Sequence, residues 1–511
     1  MGNEESEYNR PLIHYTPEYG WLNDPNGLFF DKKEKLWHIY FQYNPNGSVW
    51  GLPLYWGHAT SKDLVNWKHH DLAISPEKDD EGIFSGSIVI DHINTSGFFD
   101  DSIDPDQRVV AIYTNHDSNE KQTQEIAYSL DAGYTFTKYK ANPVIDLNLT
   151  QFRDPKVFWH KQSNQWIMIV VKSQDFKIQI YGSTNLKDWK FHSNFSSGFY
   201  GFQYECPGLF EVPIENSTKS KWVMVLAINP GSPIGGSFNQ YFIGDFDGYN
   251  FAPDDTQSRI MDIGKDFYAF QNFSDVEEGA IGLAWASNWQ YGNLVPTTER
   301  RSSMSLARRY TLKEININPE TKILSLIQRP IIPDSITAVN SIVKTSFHPT
   351  INNILSLVAQ DSTGLFDFKL RFKIKEKRFS NQEKITFDIL VQSQVQDNEI
   401  DTVKVGFDAV ISSYYFNRAI KNKNFENEFF TDKLSTYMEP LSYDDNNLPV
   451  FELYGIVDRN IIELYFNDGA VAMTNTFFMN EGRYPHSIKL VVNNEDSKFE
   501  FEQVSLRHLT N

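Results

Sequence analysis

The chain has 511 residues, of which 40% are hydrophobic and 15% aromatic, and it carries a formal net charge of −19. This length predicts two or more domains. The acidic balance argues against nucleic acid and anionic membranes as partners, because both bind basic patches. No apolar run approaches the roughly 20 residues that cross a bilayer, so we expect no membrane partner either.

The first 300 residues repeat a coarse unit of two strand-like segments rich in β-branched and aromatic residues. The paired segments fall at residues 24–30 and 37–41, 86–90 and 109–113, 154–159 and 166–170, 207–212 and 222–226, and 268–270 and 281–285. Units of 50 to 70 residues with about four strands each are typical of propeller blades. The sequence therefore predicts an all-β protein that begins with a five-bladed β-propeller.

Three carboxylates stand at the start of the first strand of three units. They are Asp24 in Trp-Leu-Asn-Asp-Pro-Asn-Gly, Asp154 in Arg-Asp-Pro and Glu205 in Glu-Cys-Pro. The innermost strands of a propeller line its axis, so these residues should meet in one funnel. Taken alone, Asp24 fits a turn and Asp154 fits an ion pair with Arg153. Taken together, carboxylates beside Asn, Arg, Trp and Tyr are typical of a glycosidase.

The repeat stops near two prolines, Pro330 and Pro333, which we interpret as the approach to a linker. Beyond it, apolar and polar residues alternate with period two, as in residues 365–372 and 461–466, which predicts a β-sandwich. The expected division is a catalytic propeller at residues 8–333, a linker at 334–344 and a C-terminal sandwich at 345–511.

These motifs resemble glycoside hydrolase family 32 and, within it, the secreted yeast-type invertases, which are β-fructofuranosidases. The resemblance covers nearly the whole chain and is strongest over about the first 330 residues. It implies that Asp24 is the nucleophile, Glu205 the acid/base and Asp154 a transition-state stabiliser that binds sugar hydroxyls. The expected reaction is retaining exo-hydrolysis of terminal β-D-fructofuranosides such as sucrose through a covalent fructosyl-enzyme, with transfructosylation as a side reaction.

Further side chains are candidates for substrate binding, from their place beside the motifs or from the resemblance. They are Asn23, Gln42, Trp50, Phe84, Ser85, Arg153 and Trp285, followed by Asn229 and Tyr291. We expect no metal, because the adjacent His69 and His70 would point to opposite faces of a strand. No organic cofactor is expected.

Three other functions fit parts of the pattern. A fructosyltransferase or a fructan exohydrolase acting on inulin or levan would use the same carboxylates with different acceptor loops. A sialidase-like enzyme would need an arginine cluster and a tyrosine nucleophile. A non-catalytic sugar-binding propeller would have no need of a paired nucleophile and acid.

Localisation and assembly are expectations from the resemblance. Six glycosylation sequons fit secretion, at Asn46, Asn94, Asn148, Asn194, Asn216 and Asn272. The first residues, Met-Gly-Asn-Glu-Glu, lack the character of a signal peptide, and Cys206 is the single cysteine. We expect a homodimer or larger homo-oligomer that acts on sucrose and fructo-oligosaccharides. Residues 414–416 and 429–430 are predicted to supply exposed aromatic surface for that assembly.

Overall fold

The computed structural model describes residues 8–197, 201–257, 259–277, 279–376, 383–422 and 425–511. Strands dominate, and short 3-10 turns occur at Pro105–Gln107, Ser173–Asp175 and Gly292–Leu294. Across these described ranges, no helix has the length and apolar character needed to span a membrane.

The strands up to residue 330 form five sheets. In chain order they are β1 (Gly20–Asp31), β2 (Leu36–Asn44), β3 (Tyr55–Ser61), β4 (Trp67–Ile74), β5 (Gly82–Ile90), β6 (Val109–His116), β7 (Gln122–Ser129), β8 (Thr137–Lys138), β9 (Ile145–Leu149), β10 (Phe152–His160), β11 (Gln165–Lys172), β12 (Lys177–Ser183), β13 (Lys190–Phe195), β14 (Tyr204–Pro213), β15 (Ser220–Ile228), β16 (Phe238–Phe246), β17 (Phe251–Pro253), β18 (Arg259–Ile260), β19 (Tyr268–Asn272), β20 (Ala280–Trp285), β21 (Arg300–Arg301), β22 (Arg308–Asn318) and β23 (Thr321–Pro330).

The five sheets are antiparallel meanders that follow one another along the chain. Their strand orders are β1-β2-β3-β4, β5-β6-β7-β8, β10-β11-β12-β13, β14-β15-β16-β17 and β19-β20-β22-β23, and β21 joins the first sheet beside β1 in parallel. The first strands contact each other in the cycle β1, β5, β10, β14, β19 and back to β1. Each sheet shares an apolar cluster with the next one, and the last sheet shares one with the first. The sheets therefore close into a ring.

The remaining strands form two larger sheets. They are β24 (Thr337–Phe347), β25 (Leu355–Val358), β26 (Leu365–Ile374), β27 (Thr386–Ser393), β28 (Thr402–Asp408), β29 (Ser413–Asn417), β30 (Lys433–Tyr437), β31 (Ser442–Tyr443), β32 (Pro449–Asp458), β33 (Ile461–Phe466), β34 (Val471–Thr476), β35 (Pro485–Val492) and β36 (Phe499–Thr510). One sheet has the order β24-β36-β26-β32-β33-β34, with β31 beside β32, and the other has the order β25-β35-β27-β28-β29-β30. A core rich in phenylalanine, with Phe372 against Phe387, joins the two sheets.

Two sequence expectations differ from this structure. Strand β24 begins inside the segment predicted as a linker, because residues 337–347 pair with the distant C-terminal strand β36. Tyr414 and Phe416 are fully buried in the core, so they supply no exposed surface for assembly. Alternation with period two predicts a strand here, but it does not show which face of the strand points inward. Phe429 is exposed, as expected.

Buried charges join the ring of five sheets to the second part of the chain, which consists of the two larger sheets. The guanidinium of Arg308 in β22 lies 2.9 Å from Asp262 and 2.8 Å from Glu463 in β33. His14 contacts Asp458 and Glu463 at 2.8 and 2.9 Å. These side chains have no exposed surface. The contacts therefore hold the two parts in one fixed arrangement.

Candidate active site

Each of the five first strands carries an irregularity near its start. The pairing of β1, β5, β10, β14 and β19 with the following strand shifts register after Leu22, Phe84, Arg153, Glu205 and Tyr268. An extra residue in a strand bends it locally and re-aims its side chains. The five shifts lie at equivalent places in the five sheets, so they gather side chains from all sheets at one end of the ring.

The backbone at three of these bulges adopts positive φ angles, namely 66° at Asp154, 43° at Cys206 and 54° at Ala269. Residues with a Cβ rarely adopt such angles, and each costs about 1–3 kcal/mol. Strain of this kind persists where the surrounding structure enforces it, and it concentrates at functional sites.

Asp24 lies in the bulge of β1 and accepts hydrogen bonds from three neighbours. The Asn23 amide donates to Oδ1 at 3.0 Å, and the Ser85 hydroxyl donates to Oδ2 at 2.6 Å. The Cys206 thiol lies 3.3 Å from the same Oδ2. Trp21 orients Asn23 by donating its indole N–H to the amide oxygen at 2.8 Å. Donors on both oxygens fix the direction of the carboxylate.

Asp154 is buried and shares Cys206 with Asp24. The backbone N–H of Cys206 donates to Asp154 Oδ2 at 2.9 Å, and the thiol lies 3.6 Å from that oxygen. Two carboxylates from different sheets therefore meet at one sulfur atom. Burial and the nearby charges of Asp24 and Glu205 raise the pKa of Asp154 to about 7, and Arg153 opposes this rise.

Glu205 is held by a cation and a phenol. Arg153 Nη2 lies 3.0 Å from Oε1, and the Tyr268 hydroxyl donates to Oε2. Arg153 is buried and also donates to Ser173, at 3.0 Å. Burial and the neighbouring carboxylates raise the pKa of the Cys206 thiol well above its usual value. Cys206 therefore stays a protonated hydrogen-bond donor among the three carboxylates.

Of the remaining predicted binding residues, Gln42, Trp50 and Phe84 lie in the first two sheets or their loops, and Trp285 and Tyr291 lie in and after β20. Gln42 is buried in β2 opposite the bulge of β1, and its amide donates to the Ile83 carbonyl at 2.7 Å. Trp50 is 40% exposed, and its ring packs edge-on against that of Phe84 with 6.5 Å between the ring centres. These two rings offer apolar surface near Ser85.

Trp285 has no exposed surface and packs beneath two other aromatic rings. Its ring lies 5.8 Å from that of Trp21 and 4.8 Å from that of Trp289, which is half-buried. Tyr291, the other candidate from this segment, is fully buried and its hydroxyl donates to Asp266, so its side chain does not line the site. Trp289 therefore presents the accessible aromatic surface of this segment.

Tyr268 and Trp289 are not among the site residues predicted from the sequence. The signal for Tyr268 was its place in the fifth unit, where it stands directly before the bulge as Glu205 does in the fourth. No sequence signal distinguishes Trp289, because two tryptophans four residues apart do not show which one is accessible. Within the described part of the chain, no group of three or more His, Cys, Asp or Glu residues is placed to hold a metal ion.

Comparisons with known proteins agree with this architecture. The family model "Glycosyl hydrolases family 32 N-terminal domain" matches residues 14–330, and the model for the C-terminal part of that family matches residues 336–508. An invertase of Debaryomyces hansenii is 60% identical over 511 residues, which cover 100% of this chain and 95% of that protein. The chain belongs to glycoside hydrolase family 32.

Two further proteins are similar to this chain. An extracellular exo-inulinase of Meyerozyma guilliermondii is 55% identical over 475 residues, which cover 93% of this chain and 90% of that protein. A fructofuranosidase from Schwanniomyces occidentalis, solved with fructose, superposes with a TM-score of 0.98 at 63% identity, and the match covers both chains completely.

Proposed function

We propose that the chain is a retaining, exo-acting β-fructofuranosidase that hydrolyses terminal β-D-fructofuranosides such as sucrose. The observation that carries this proposal is the meeting of Asp24, Asp154 and Glu205 around Cys206 and Arg153. A fixed carboxylate nucleophile and a separate carboxyl group with a hydrogen-bond donor network are what glycoside hydrolysis requires. The identity to invertases over the full chain supports the same substrate class.

In the proposed reaction, Asp24 attacks the anomeric C2 of the fructosyl unit while Glu205 protonates the glycosidic oxygen. The C2–oxygen bond breaks, the glucose leaves, and a fructosyl ester forms on Asp24. Glu205 then takes a proton from water, which attacks C2 and releases fructose with retained configuration. Asn23, Ser85 and Cys206 orient the nucleophile, since each contacts its carboxylate.

The other groups have supporting roles in this proposal. Asp154 accepts hydrogen bonds from fructosyl hydroxyls and stabilises the transition state. Arg153 and Tyr268 hold Glu205 in place. Gln42, Trp50 and Phe84 contact the sugar, and Trp285 supports the aromatic surface from below. No step requires a metal or an organic cofactor.

We also propose how the fold is divided. The closed ring of five sheets is a five-bladed β-propeller that carries the chemistry, and the two larger sheets form a β-sandwich. The strand boundaries favour a catalytic domain at residues 8–330, a connection at 331–336 and a sandwich from residue 337 onward.

A second candidate is hydrolysis of fructans, and the exo-inulinase relative favours it. The test is incubation with sucrose, raffinose, inulin and levan, followed by analysis of the products. We expect free fructose from sucrose and raffinose. Fructose release from inulin at a comparable rate would favour the exohydrolase, and longer oligosaccharides at high sucrose would indicate a fructosyltransferase. Absence of fructose from all four substrates would contradict both candidates.

We further propose that the enzyme is secreted and forms a homodimer or larger homo-oligomer. The extracellular relative supports the first statement. For the second, the long edge strand β24 exposes Val339 and Val343, and unpaired sheet edges favour association. Light scattering at micromolar concentration measures the mass, and a strict monomer would contradict the assembly.

A further inference from the structure

Two rim segments border the site beyond the carboxylates. Residues 229–237 follow β15, and the Pro230 carbonyl accepts a hydrogen bond from Phe202 N–H at 3.0 Å, near the start of β14. Residues 286–295 follow β20 and carry Trp289, whose ring lies 5.8 Å from that of Trp21. In the same segment, the side-chain oxygen of Asn293 accepts from the backbone N–H of Trp50 at 2.9 Å.

Lys265 ties these two segments to each other. Its ammonium donates to the carbonyls of Ile234 and Gly235 at 3.0 and 3.1 Å, and to the side chain of Gln290 at 2.8 Å. The residue is buried. Asn288 adds a second link, because its amide donates to the Lys265 carbonyl at 2.9 Å. The rim is therefore one connected unit, and its position depends on what holds residues 265 and 266.

Arg418, from the loop after β29 in the second part, reaches this unit from below. Its guanidinium is fully buried and donates to Asp266 Oδ2 at 2.9 Å and to the Tyr291 hydroxyl at 3.3 Å. Tyr291 in turn donates to the other oxygen of Asp266 at 2.5 Å. The guanidinium also lies 3.6 Å from the centre of the Phe430 ring. Arg418, Asp266 and Tyr291 thus form a closed triangle of contacts.

The surroundings fix this triangle rigidly. Arg418 donates to the carbonyls of Thr476 and Thr431 at 2.7 and 2.8 Å, and Asp266 Oδ2 accepts from the backbone N–H of Thr476 at 2.8 Å. A buried ion pair with satisfied hydrogen bonds contributes geometric definition more than net stability. Tyr291, two residues after Trp289, stands directly before the turn Gly292–Leu294 that carries Asn293. The triangle therefore sets the position of Trp289. It also sets the position of Asn293, which accepts the hydrogen bond from Trp50 N–H.

We propose that Arg418 is a positioning residue that determines specificity: through Asp266 and Tyr291 it fixes the aromatic rim that binds sugar units beyond the fructosyl unit being cleaved. This inference rests on the proposed function. The terminal fructosyl unit lies among the carboxylates, so the following units must extend outward past the rim. Sucrose has one such unit, whereas a fructosyl-extended trisaccharide has two and depends more on the rim. The C-terminal domain thereby influences selectivity within its own chain.

The test compares Arg418→Met and Tyr291→Phe with the wild-type enzyme on sucrose and on the β-2,1-linked fructosyl-sucrose trisaccharide. A misplaced contact surface weakens binding by about tenfold or more, so we expect KM for the trisaccharide to rise about tenfold. We expect KM for sucrose to rise less than threefold and kcat for sucrose to stay within about twofold. Arg483→Met is the matched control, since Arg483 is a buried arginine that pairs with Asp401 inside the second part.

The outcomes separate this inference from the proposed function. A wild-type enzyme that releases no fructose from either sugar overturns both. If the wild type is active and KM for the two sugars changes by the same factor in Arg418→Met, the positioning role is wrong while the proposed function stands. If Arg483→Met changes the ratio of the trisaccharide KM to the sucrose KM as much as Arg418→Met does, the positioning role is also wrong. Should Arg418→Met fail to fold, Tyr291→Phe, which removes only a hydroxyl, decides by the same ratio.

Discussion

At the scale of single residues, Cys206 links the three carboxylates proposed for catalysis. Its N–H and thiol reach Asp154 and Asp24, and it follows Glu205 directly. Because the raised pKa keeps the thiol protonated, it donates to carboxylates that would otherwise repel each other. One residue thus spaces the proposed nucleophile and stabiliser.

The first prediction concerns the nucleophile. Asp24→Asn keeps the size of the side chain. Its amide oxygen can accept from Asn23 and its NH2 can donate to the Ser85 hydroxyl, which accepts as well as donates, but it cannot form the fructosyl ester. We expect kcat for sucrose to fall by about 10³-fold or more with unchanged thermal unfolding. Asp245→Asn, on the exposed outer surface, is the control. A folded Asp24→Asn enzyme with wild-type kcat would refute the mechanism.

The second prediction concerns the pH dependence of stability at Asp154. Its folded pKa of about 7 lies above the ordinary value of 3.8, so ionisation costs folding free energy as pH rises through that range. Asp154→Asn removes this cost and still accepts from Cys206 N–H. We expect its Tm to exceed that of the wild type by about 3 °C or more at pH 8, with a smaller difference at pH 4.5, measured by calorimetry.

The same variant should lose most of its activity, because a destabilising buried charge is retained for function. If the Tm difference between Asp154→Asn and wild type is the same at both pH values, the carboxylate does not titrate in this range.

At the scale of elements, the bulge of β5 depends on a glycine that allows close strand approach, whereas the bulge of β14 does not. A Cβ on Gly86, directly after Ser85 in β5, would lie 2.0 Å from the Ile112 carbonyl oxygen and 2.6 Å from the Cα of Tyr113. At Gly208, the equivalent place in β14, an added Cβ would meet Val225 at an ordinary 3.6 Å. Both glycines are the first paired residue after their bulge.

The third prediction follows from this difference. Gly86→Ala should lower the free energy of unfolding by about 2 kcal/mol or more, because backbone atoms must shift. It should also reduce kcat by moving Ser85. Gly208→Ala is the matched control and should cost less than about 1 kcal/mol. Urea unfolding and sucrose hydrolysis measure the two effects. Equal losses in both variants would show that close approach at Gly86 does not matter.

The strands also show which features of the fold and the site can be predicted from the sequence. The repeated strand pattern predicts that Asp24, Asp154 and Glu205 share one end of the ring, since each stands at the start of a first strand. It does not predict Tyr268, because the fifth unit has no carboxylate at that place. The alternation around Tyr414 predicts a strand but not its inward face. The pairing of β24 with β36 joins segments about 160 residues apart, and no local pattern records such a partner.

At the scale of the whole molecule, buried charges between the two parts make their union depend on pH. Hydrogen bonds to Asp458 and Glu463 raise the pKa of His14 from 6.5 to about 9, although burial opposes this. Contacts with Arg308 and His14 lower the pKa of Glu463 from 4.5 to about 2, again against burial. Asp262, Tyr465 and Thr474 face the same network.

The signs of the two shifts define a window. A raised histidine pKa contributes stability that is complete below pH 6.5 and lost as pH rises to 9. A lowered glutamate pKa contributes stability that is complete above pH 4.5 and lost as pH falls to 2. The contribution of this network to folding is therefore greatest between about pH 4.5 and 6.5.

The fourth prediction is that His14→Gln flattens the alkaline side of the stability profile. Glutamine can still donate a hydrogen bond but carries no charge, so the variant should be less stable than wild type at pH 5.5. The difference should shrink by about half or more at pH 9, where pH has reached the folded pKa of His14 and most of the stabilisation linked to its proton is gone. Calorimetry at both pH values measures it, with His486→Gln in β35 as the control for loss of a histidine elsewhere in the second part. A His14→Gln deficit that is constant from pH 5.5 to 9 would mean that the neutral ring binds Asp458 and Glu463 as strongly as the charged one. The contact between the ring of five sheets and the two larger sheets would then be held by shape and apolar packing rather than by its buried charges.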